Sequence, residues 1–380
     1  MLQYAPMLSH IEISKGNLVS NFRAMKSLVG KDVKIAAVIK ANAYGHGQNE
    51  VASILENEVD YFQLDDAREL ELLRKASKKP ALIFGYVAKN EIEKVVAMGG
   101  IIGVYGKDQI ENINSHAKKI GKIIPVHIKI DACLGRQGVL IGNLQEIIDI
   151  LKKCDRVKVD GVYSHFANIE DTSDFSHASK QINSFENALD IFKENGYENL
   201  KTHMSASSGV MVWENVEGKS NLIRPGISLY GMWPSEELRA RLENENFKLK
   251  PVLRWVSHVA QVKILPENHS VGYGLTYITS KPTKIAVIPQ GYSDGYDRGL
   301  SNVGEVLIGG TRCPVLGRIA MNMFVVDVDH LENVKVEDEV VLLGKQGNEE
   351  ITAEEIAAHL GTINYEITTR ISPLLPRFIK

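Results

Sequence analysis

Cysteine is scarce here: Cys133, Cys154 and Cys313 are the only three in 380 residues, far apart and odd in number. A disulfide framework is thereby excluded, no zinc-ligand spacing is present, and a reducing compartment is favoured. Charge of one sign is also lacking. The formal net charge is −3, and short basic clusters such as "KKIGK" at 118–122 lie next to acidic residues, so neither nucleic acid nor an anionic membrane is indicated as a partner. No apolar run approaches the roughly 20 residues that span a bilayer, and "MLQYAPMLSHIEIS" lacks the charged-then-apolar order of a secretion signal. The expectation is a cytoplasmic protein. A P-loop and a Gly-rich fingerprint after the first strand are missing too, which argues against nucleotide cleavage and a dinucleotide fold.

What is there is ordinary in bulk and patterned in detail. The apolar share of 44% and charged share of 24% describe a globular chain whose length suggests about two domains. Up to about residue 245, apolar strands alternate with amphipathic helices. The spacing predicts strands over 34–41, 61–65, 80–86, 101–106, 124–131, 158–166, 200–207 and 221–231. Helical patterns such as "DDARELELLRKAS" and "NLQEIIDILKKC" lie between them. Near-continuous apolar strands joined by helices imply a parallel sheet, and eight strands are enough to close a (β/α)8 TIM-type barrel. From about Leu249 the pattern turns β-rich, so a barrel over 1–245 followed by a mostly-β domain over 246–380 is expected.

Barrel chemistry collects at the C-terminal ends of the strands. Read at those ends, the polar residues are Lys40, then Lys129, Asp131 and Arg136, then His165, then Ser205, Ser207 and Ser208, and last Arg224 before Gly226. Each alone fits a salt bridge, a cap or a satisfied core histidine. Their gathering on one rim is harder to dismiss. Serines after the seventh strand and a glycine after the eighth suit a phosphate, and with no P-loop the phosphate belongs to a held cofactor. A lysine across the barrel from that cradle points to pyridoxal 5'-phosphate carried as a Schiff base.

The motifs "AAVIKANAYGHG", "IDACLGRQG", "SHFAN", "IRPGISLYGM", "VGYGLTY", "GYSDGYDRGLSNVGEVLIGG", "PVLGRIAMN" and "TINYEI", in this order, resemble those of the alanine racemase family over essentially the whole length. The resemblance implies that Lys40 carries the cofactor and is one catalytic base. Tyr273 is then the other, reaching the active site of the partner subunit in a homodimer. Tyr44, Ser207, Gly226, Ile227 and Tyr365 would hold the phosphate. Arg224 would meet the pyridine nitrogen, with His165 linking it toward Tyr273. Arg136 would touch the cofactor or the substrate carboxylate, steadied by Lys129, which is carboxylated in many members. The backbone N–H of Met321 would meet the carboxylate, and Tyr292 would narrow the entrance. The implied activity interconverts L- and D-alanine and supplies D-alanine for peptidoglycan.

The sequence departs from the family pattern at Ala132-Cys133-Leu134, Ala206 and Asn322. These positions shape the surroundings of the substrate carboxylate and the cofactor rim. A racemase for serine or a basic amino acid is therefore an alternative, as is a barrel-type decarboxylase. The decarboxylase would want an acid at the ring nitrogen and a glycine triplet at the phosphate, where this sequence has Arg224 and no triplet. A pyridoxal-phosphate carrier would need only the barrel and Lys40. For Tyr273 itself the bland alternative is a core tyrosine of the β-domain.

Overall fold

The computed structural model describes residues 8–170, 173–212 and 220–380; residues 1–7, 171–172 and 213–219 of the expected first domain lie outside them. Two compact units emerge. One comprises Leu18–Ala43 and Val51–Lys250; the other comprises the described residues up to Asn17 with Tyr44–Glu50 and Pro251–Lys380. The expected division between 245 and 246 differs in two ways. The break follows Lys250, and two N-terminal segments group with the β-rich unit.

A strand absent from the sequence reading, β1 (His10–Ile13), comes first in the chain. The eight expected barrel strands follow as β2 (Lys34–Val38), β3 (Tyr61–Leu64), β4 (Ala81–Ile83), β5 (Gly100–Val104), β6 (Ile124–Lys129), β7 (Val157–Tyr163), β8 (Lys201–His203) and β9 (Leu222–Ile223). All neighbours pair in parallel in the order β8-β7-β6-β5-β4-β3-β2-β9. Every residue of β3, β4 and β5 is buried, which is why these strands read as unbroken apolar runs. The seam between β8 and β9 is closed by single bonds. Asn221 N–H donates to Thr202 O at 3.0 Å and Arg224 N–H to Ser205 O at 2.9 Å, while the Asn221 side chain accepts from Thr202 N–H.

The strands end earlier than the apolar pattern suggested. β2 stops at Val38, β7 at Tyr163 and β8 at His203, so Lys40, His165 and Ser205 stand just beyond strand ends. Inside the barrel, glycine makes room for rings: a Cβ on Gly103 would sit 2.5 Å from Tyr163 Oη, and one on Gly161 would sit 2.7 Å from the His127 ring.

The second unit is a sheet of ten described strands. Beside β1 these are β10 (Leu253–His258), β11 (Gln261–Leu265), β12 (Thr283–Ile288), β13 (Glu305–Ile308), β14 (Thr311–Leu316), β15 (Phe324–Asp327), β16 (Glu339–Gln346), β17 (Glu349–Ile351) and β18 (Arg377–Ile379). Their order is β11-β12-β15-β14-β13-β16-β10-β1-β18, with β17 paired to β16. Gly309 and Gly310, both at positive φ, form the two-residue turn between β13 and β14, as a primed hairpin requires. The Arg312 guanidinium lies among Glu305, Glu349 and Glu355, with closest contacts of 2.7, 3.1 and 2.6 Å.

Candidate active site

In the barrel unit the rim begins at Lys40, where the backbone leaves its strand by an unusual route. Ala41, Asn42 and Ala43 all adopt left-handed helical angles near φ +53°, ψ +48°, and Tyr44 follows at φ 55°. Such a conformation costs a non-glycine residue roughly 1–2 kcal/mol, so something must hold it. Glu69 does part of this. Its carboxylate accepts from Ala41 N–H at 2.6 Å and from Asp65 N–H at 2.7 Å. Glu69 is placed in turn by its helix Ala67–Leu73, which is capped by Asp66. Burial raises the Glu69 pKa against the lowering effect of those two bonds. Strain of this kind next to a reactive side chain is characteristic of functional sites.

Arg224 occupies the middle of the rim and is only 4% exposed. Its guanidinium donates to the carbonyl oxygens of Ser164 (2.8 Å), His203 (3.1 Å) and Met204 (3.2 Å). It also donates to Nδ1 of His203 and, at 3.4 Å, to Nδ1 of His165. Its carbon lies 5.7 Å from the centre of the Phe84 ring and 5.6 Å from that of Tyr163. Among the described residues no carboxylate bonds to it. Burial, with Arg136 nearby, brings its pKa down to about 10.

The other cations face the same region. His165 is lowered to about 3, first by burial and then by Arg224, Arg136, Lys129 and Lys40. Lys129, 3% exposed, is lowered to about 8 by burial and then by Arg136 and Arg224; its amine donates to Gln137 Oε1 at 3.3 Å. Asp131 gives Arg136 no ion pair and instead accepts the loop N–H groups of Leu134 and Gly135 at 2.9 and 3.0 Å. Four cationic side chains thus bear on one histidine, an arrangement that suits anionic groups on a bound molecule.

Ser207 supplies the phosphate-cradle geometry. Its Oγ accepts from Gly226 N–H at 2.9 Å and from Ser228 N–H at 3.3 Å, leaving its own hydrogen to donate. The hydroxyls of Ser205 and Ser228 are buried with no partner among the described residues, and buried hydroxyls are rarely left so unless a ligand or water completes them. With the Gly226 and Ser228 N–H groups committed to Ser207, the Ser207 and Ser228 hydroxyls and the Ile227 N–H at the start of a short helical turn remain to donate and fit a phosphate, and the adjacent cations fit the rest of pyridoxal 5'-phosphate.

The remaining expected residues belong to the β-rich unit. Tyr44 and Tyr365 come together there, their ring centres 6.1 Å apart. The segments that carry Tyr292 and Met321 are joined: Tyr292 N–H donates to Ala320 O (3.2 Å), and Ser293 N–H and Oγ–H donate to Met321 O (3.1 and 2.8 Å). Tyr273 stands at a turn between Gly272 and Gly274, both at positive φ, with 71% of its surface exposed. It is no core tyrosine.

Sequence reading missed a second layer. His127 and His203, both fully buried, together with Asp160 and Lys201, connect with Arg224 through the barrel interior. The signal was faint: His127 is one polar residue inside the apolar strand "IPVHIKID", away from the strand ends where barrel chemistry is sought.

Comparison with known proteins gives a uniform result. A family model described as "Alanine racemase, N-terminal domain" matches residues 13–234, and one described as "Alanine racemase, C-terminal domain" matches residues 252–379. An alanine racemase of Methanococcus maripaludis is 38% identical over 98% of this chain and 99% of its own. That of Carboxydothermus hydrogenoformans is 40% identical over 96% and 98% respectively. Among solved structures, an alanine racemase of Clostridium difficile 630 superposes with a TM-score of 0.91 at 34% identity, covering 99% of this chain and 96% of that one. One from Bartonella henselae, described "with covalently bound pyridoxal phosphate", gives 0.84 at 26% identity over 99% and 100%.

Proposed function

The chain belongs to the alanine racemase family, and from that premise we propose that it interconverts L- and D-alanine by a two-base mechanism in which Lys40 and Tyr273 serve opposite faces of the substrate. Racemisation takes the α-proton from one face and returns a proton to the other, so two bases suffice. When bound, pyridoxal phosphate would supply an electron sink for the pair left by removal of that proton.

The observation that carries this reading is Arg224. It is buried, its two terminal nitrogens donate to neutral acceptors, and at the ring nitrogen, where the family resemblance would put it, a decarboxylase would want an acid. A guanidinium donates a hydrogen bond without giving up its proton. Opposite the ring nitrogen it would limit how much charge the ring takes, and so favour quick reprotonation over side reactions. His165, held neutral, accepts from Arg224 on Nδ1 and keeps Nε2–H free to direct toward the Tyr273 oxygen. Tyr44, Ser207, Gly226, Ile227 and Tyr365 would hold the phosphate, and Arg136 and the Met321 N–H the substrate carboxylate. Tyr292 and Tyr365 would favour a small side chain.

Lys129 fits carboxylation. With a pKa of about 8, a sizeable fraction of its amine is neutral near physiological pH, and addition of CO₂ would place an anion among Arg136, Arg224 and Lys40. The exposed Tyr273, Leu275, Ile278, Met321 and Met323 support a homodimer in which Tyr273 completes the partner's site. Among the described residues no helix is long and apolar enough to cross a membrane, and the three cysteines are free. Both fit a cytoplasmic enzyme supplying D-alanine for peptidoglycan.

The test is incubation with pyridoxal phosphate and L-alanine in D₂O, read by NMR and chiral chromatography. D-alanine carrying an α-deuteron is the expected product, and Lys40→Ala should abolish it. Exchange with serine or a basic amino acid but not with alanine would overturn the assignment of substrate.

A further inference from the structure

Behind Arg224, two imidazoles connect it with a carboxylate. Arg224 donates to His203 Nδ1, and because a guanidinium has no acceptor that nitrogen must carry the lone pair. The hydrogen of His203 is then on Nε2, which lies 2.7 Å from Nδ1 of His127. His127 must accept there, so its own hydrogen is on Nε2, 3.4 Å from Asp160 Oδ2. An ionised carboxylate only accepts. A donor-only group at one end and an acceptor-only group at the other leave a single arrangement of protons on both rings.

The surroundings enforce this. Lys201 Nζ holds both oxygens of Asp160 at 2.7 Å. The bond from His127, and then that from Lys201, keep the Asp160 carboxyl well below the ordinary range. Both histidines are lowered by burial and stay uncharged. His203 is clamped by stacking on Tyr163 at 5.1 Å and Phe84 at 5.6 Å, and Gly161 leaves the space that His127 fills.

We propose that Asp160 is a positioning residue for Arg224: acting through His127 and His203, it fixes which nitrogen of each ring carries hydrogen and so keeps His203 Nδ1 able to accept from the guanidinium. In the reversed arrangement, His203 would point an N–H at an N–H of Arg224, and the guanidinium would be pushed out of position. The effect on turnover rests on the racemase reading of Arg224; the proton arrangement does not.

Asp160→Asn tests this in the full-length, cofactor-loaded protein. Lys201, a donor only, draws the amide oxygen, so the NH₂ group faces His127 and favours the reversed arrangement. ¹⁵N-histidine NMR should then show the hydrogen of His127 and His203 moved to Nδ1. Turnover of alanine should fall about 10–100-fold, the range seen when an outer partner of a functional group is removed, with a smaller change in KM. Adding Lys201→Met frees the amide to turn its oxygen to His127, and both the ring protonation and the turnover should return toward wild type. Unchanged ring protonation in Asp160→Asn, or a double variant no better than the single, overturns the proposal. Lys201→Met alone leaves the carboxylate accepting, so the wild-type ring protonation should persist; reversal there would also overturn it, even if Asp160→Asn does not fold. Failure of the wild-type protein to racemise alanine would remove the racemase reading and leave the NMR test standing.

Discussion

Arg312 and Arg224 are the same residue in opposite circumstances. In the β-rich unit, Arg312 is surrounded by Glu305, Glu349 and Glu355, and their hydrogen bonds, Glu355 foremost, raise its pKa. In the barrel unit, Arg224 is more deeply buried, has carbonyls, imidazoles and aromatic faces for company, and is lowered to about 10 by that burial. The first arginine is neutralised by its own fold. The second is held as a buried charge without a counter-ion, an arrangement costly to stability that makes sense when an anionic ligand completes it. Their partners suit Arg312 to architecture and Arg224 to the chemistry proposed for it.

The comparison breaks most sharply under substitution. Arg224→Met should lower kcat for alanine by about 10²–10³-fold, in the range lost with one electrostatic donor, while the melting temperature changes little. A collapse in stability with normal turnover in the surviving protein would reverse the assignment. Tyr273→Phe should slow α-deuterium exchange mainly from one enantiomer, by about 10²-fold, with no change in melting because the side chain is exposed. Equal loss from both enantiomers would contradict the two-base reading. Arg312→Met should do the opposite of Arg224→Met. It should cost about 1–2 kcal/mol of stability, limited because the network is partly open to water, and leave kcat as it is.

pH separates the two regions more finely. His127, His165 and His203 all have pKa values lowered in the folded protein, with burial as the largest cause. The unfolded chain takes up their protons first, so stability is full above the ordinary histidine value of about 6.5 and declines as pH falls below it, in the case of His165 down to about 3. Glu12 and Glu339 in the β-rich unit are lowered by Arg254 in spite of burial, so their contribution is lost only below the ordinary carboxylate range of about 4.3. His258 of the β-rich unit is lowered by burial in the same direction, so a decline in melting temperature between pH 6.5 and 5 that persists in His258→Asn would mark the barrel histidines, and a flat profile there would deny them.

The barrel strands, and the placing of the candidate site residues at their ends, were legible in the sequence because they obey rules that act locally. Strands buried on both faces read as apolar runs, and lysine, arginine and serine at their ends interrupt those runs. β1 was not legible: "HIEI" is four residues long, and its pairing partners, β10 and β18, lie more than two hundred residues away. Nor was the left-handed turn after Lys40, since "ANAY" contains no glycine to announce it. Asp160 and His127 read as isolated polar residues within strands, and only the chain of bonds that runs through His203 to Arg224 gives them meaning.

The turn after Lys40 also bears on how the protein matures. Its backbone angles are unfavourable in a free chain and are met by contacts such as those from Glu69, which sits on a separate helix beyond the next strand. The backbone after Lys40 is therefore held in this geometry by Glu69 only once β2, β3 and the following helix have assembled. With Lys40 as the proposed attachment point, a cofactor would find its amine held by the finished barrel and not held in a half-folded one. On that proposal, folding would precede loading.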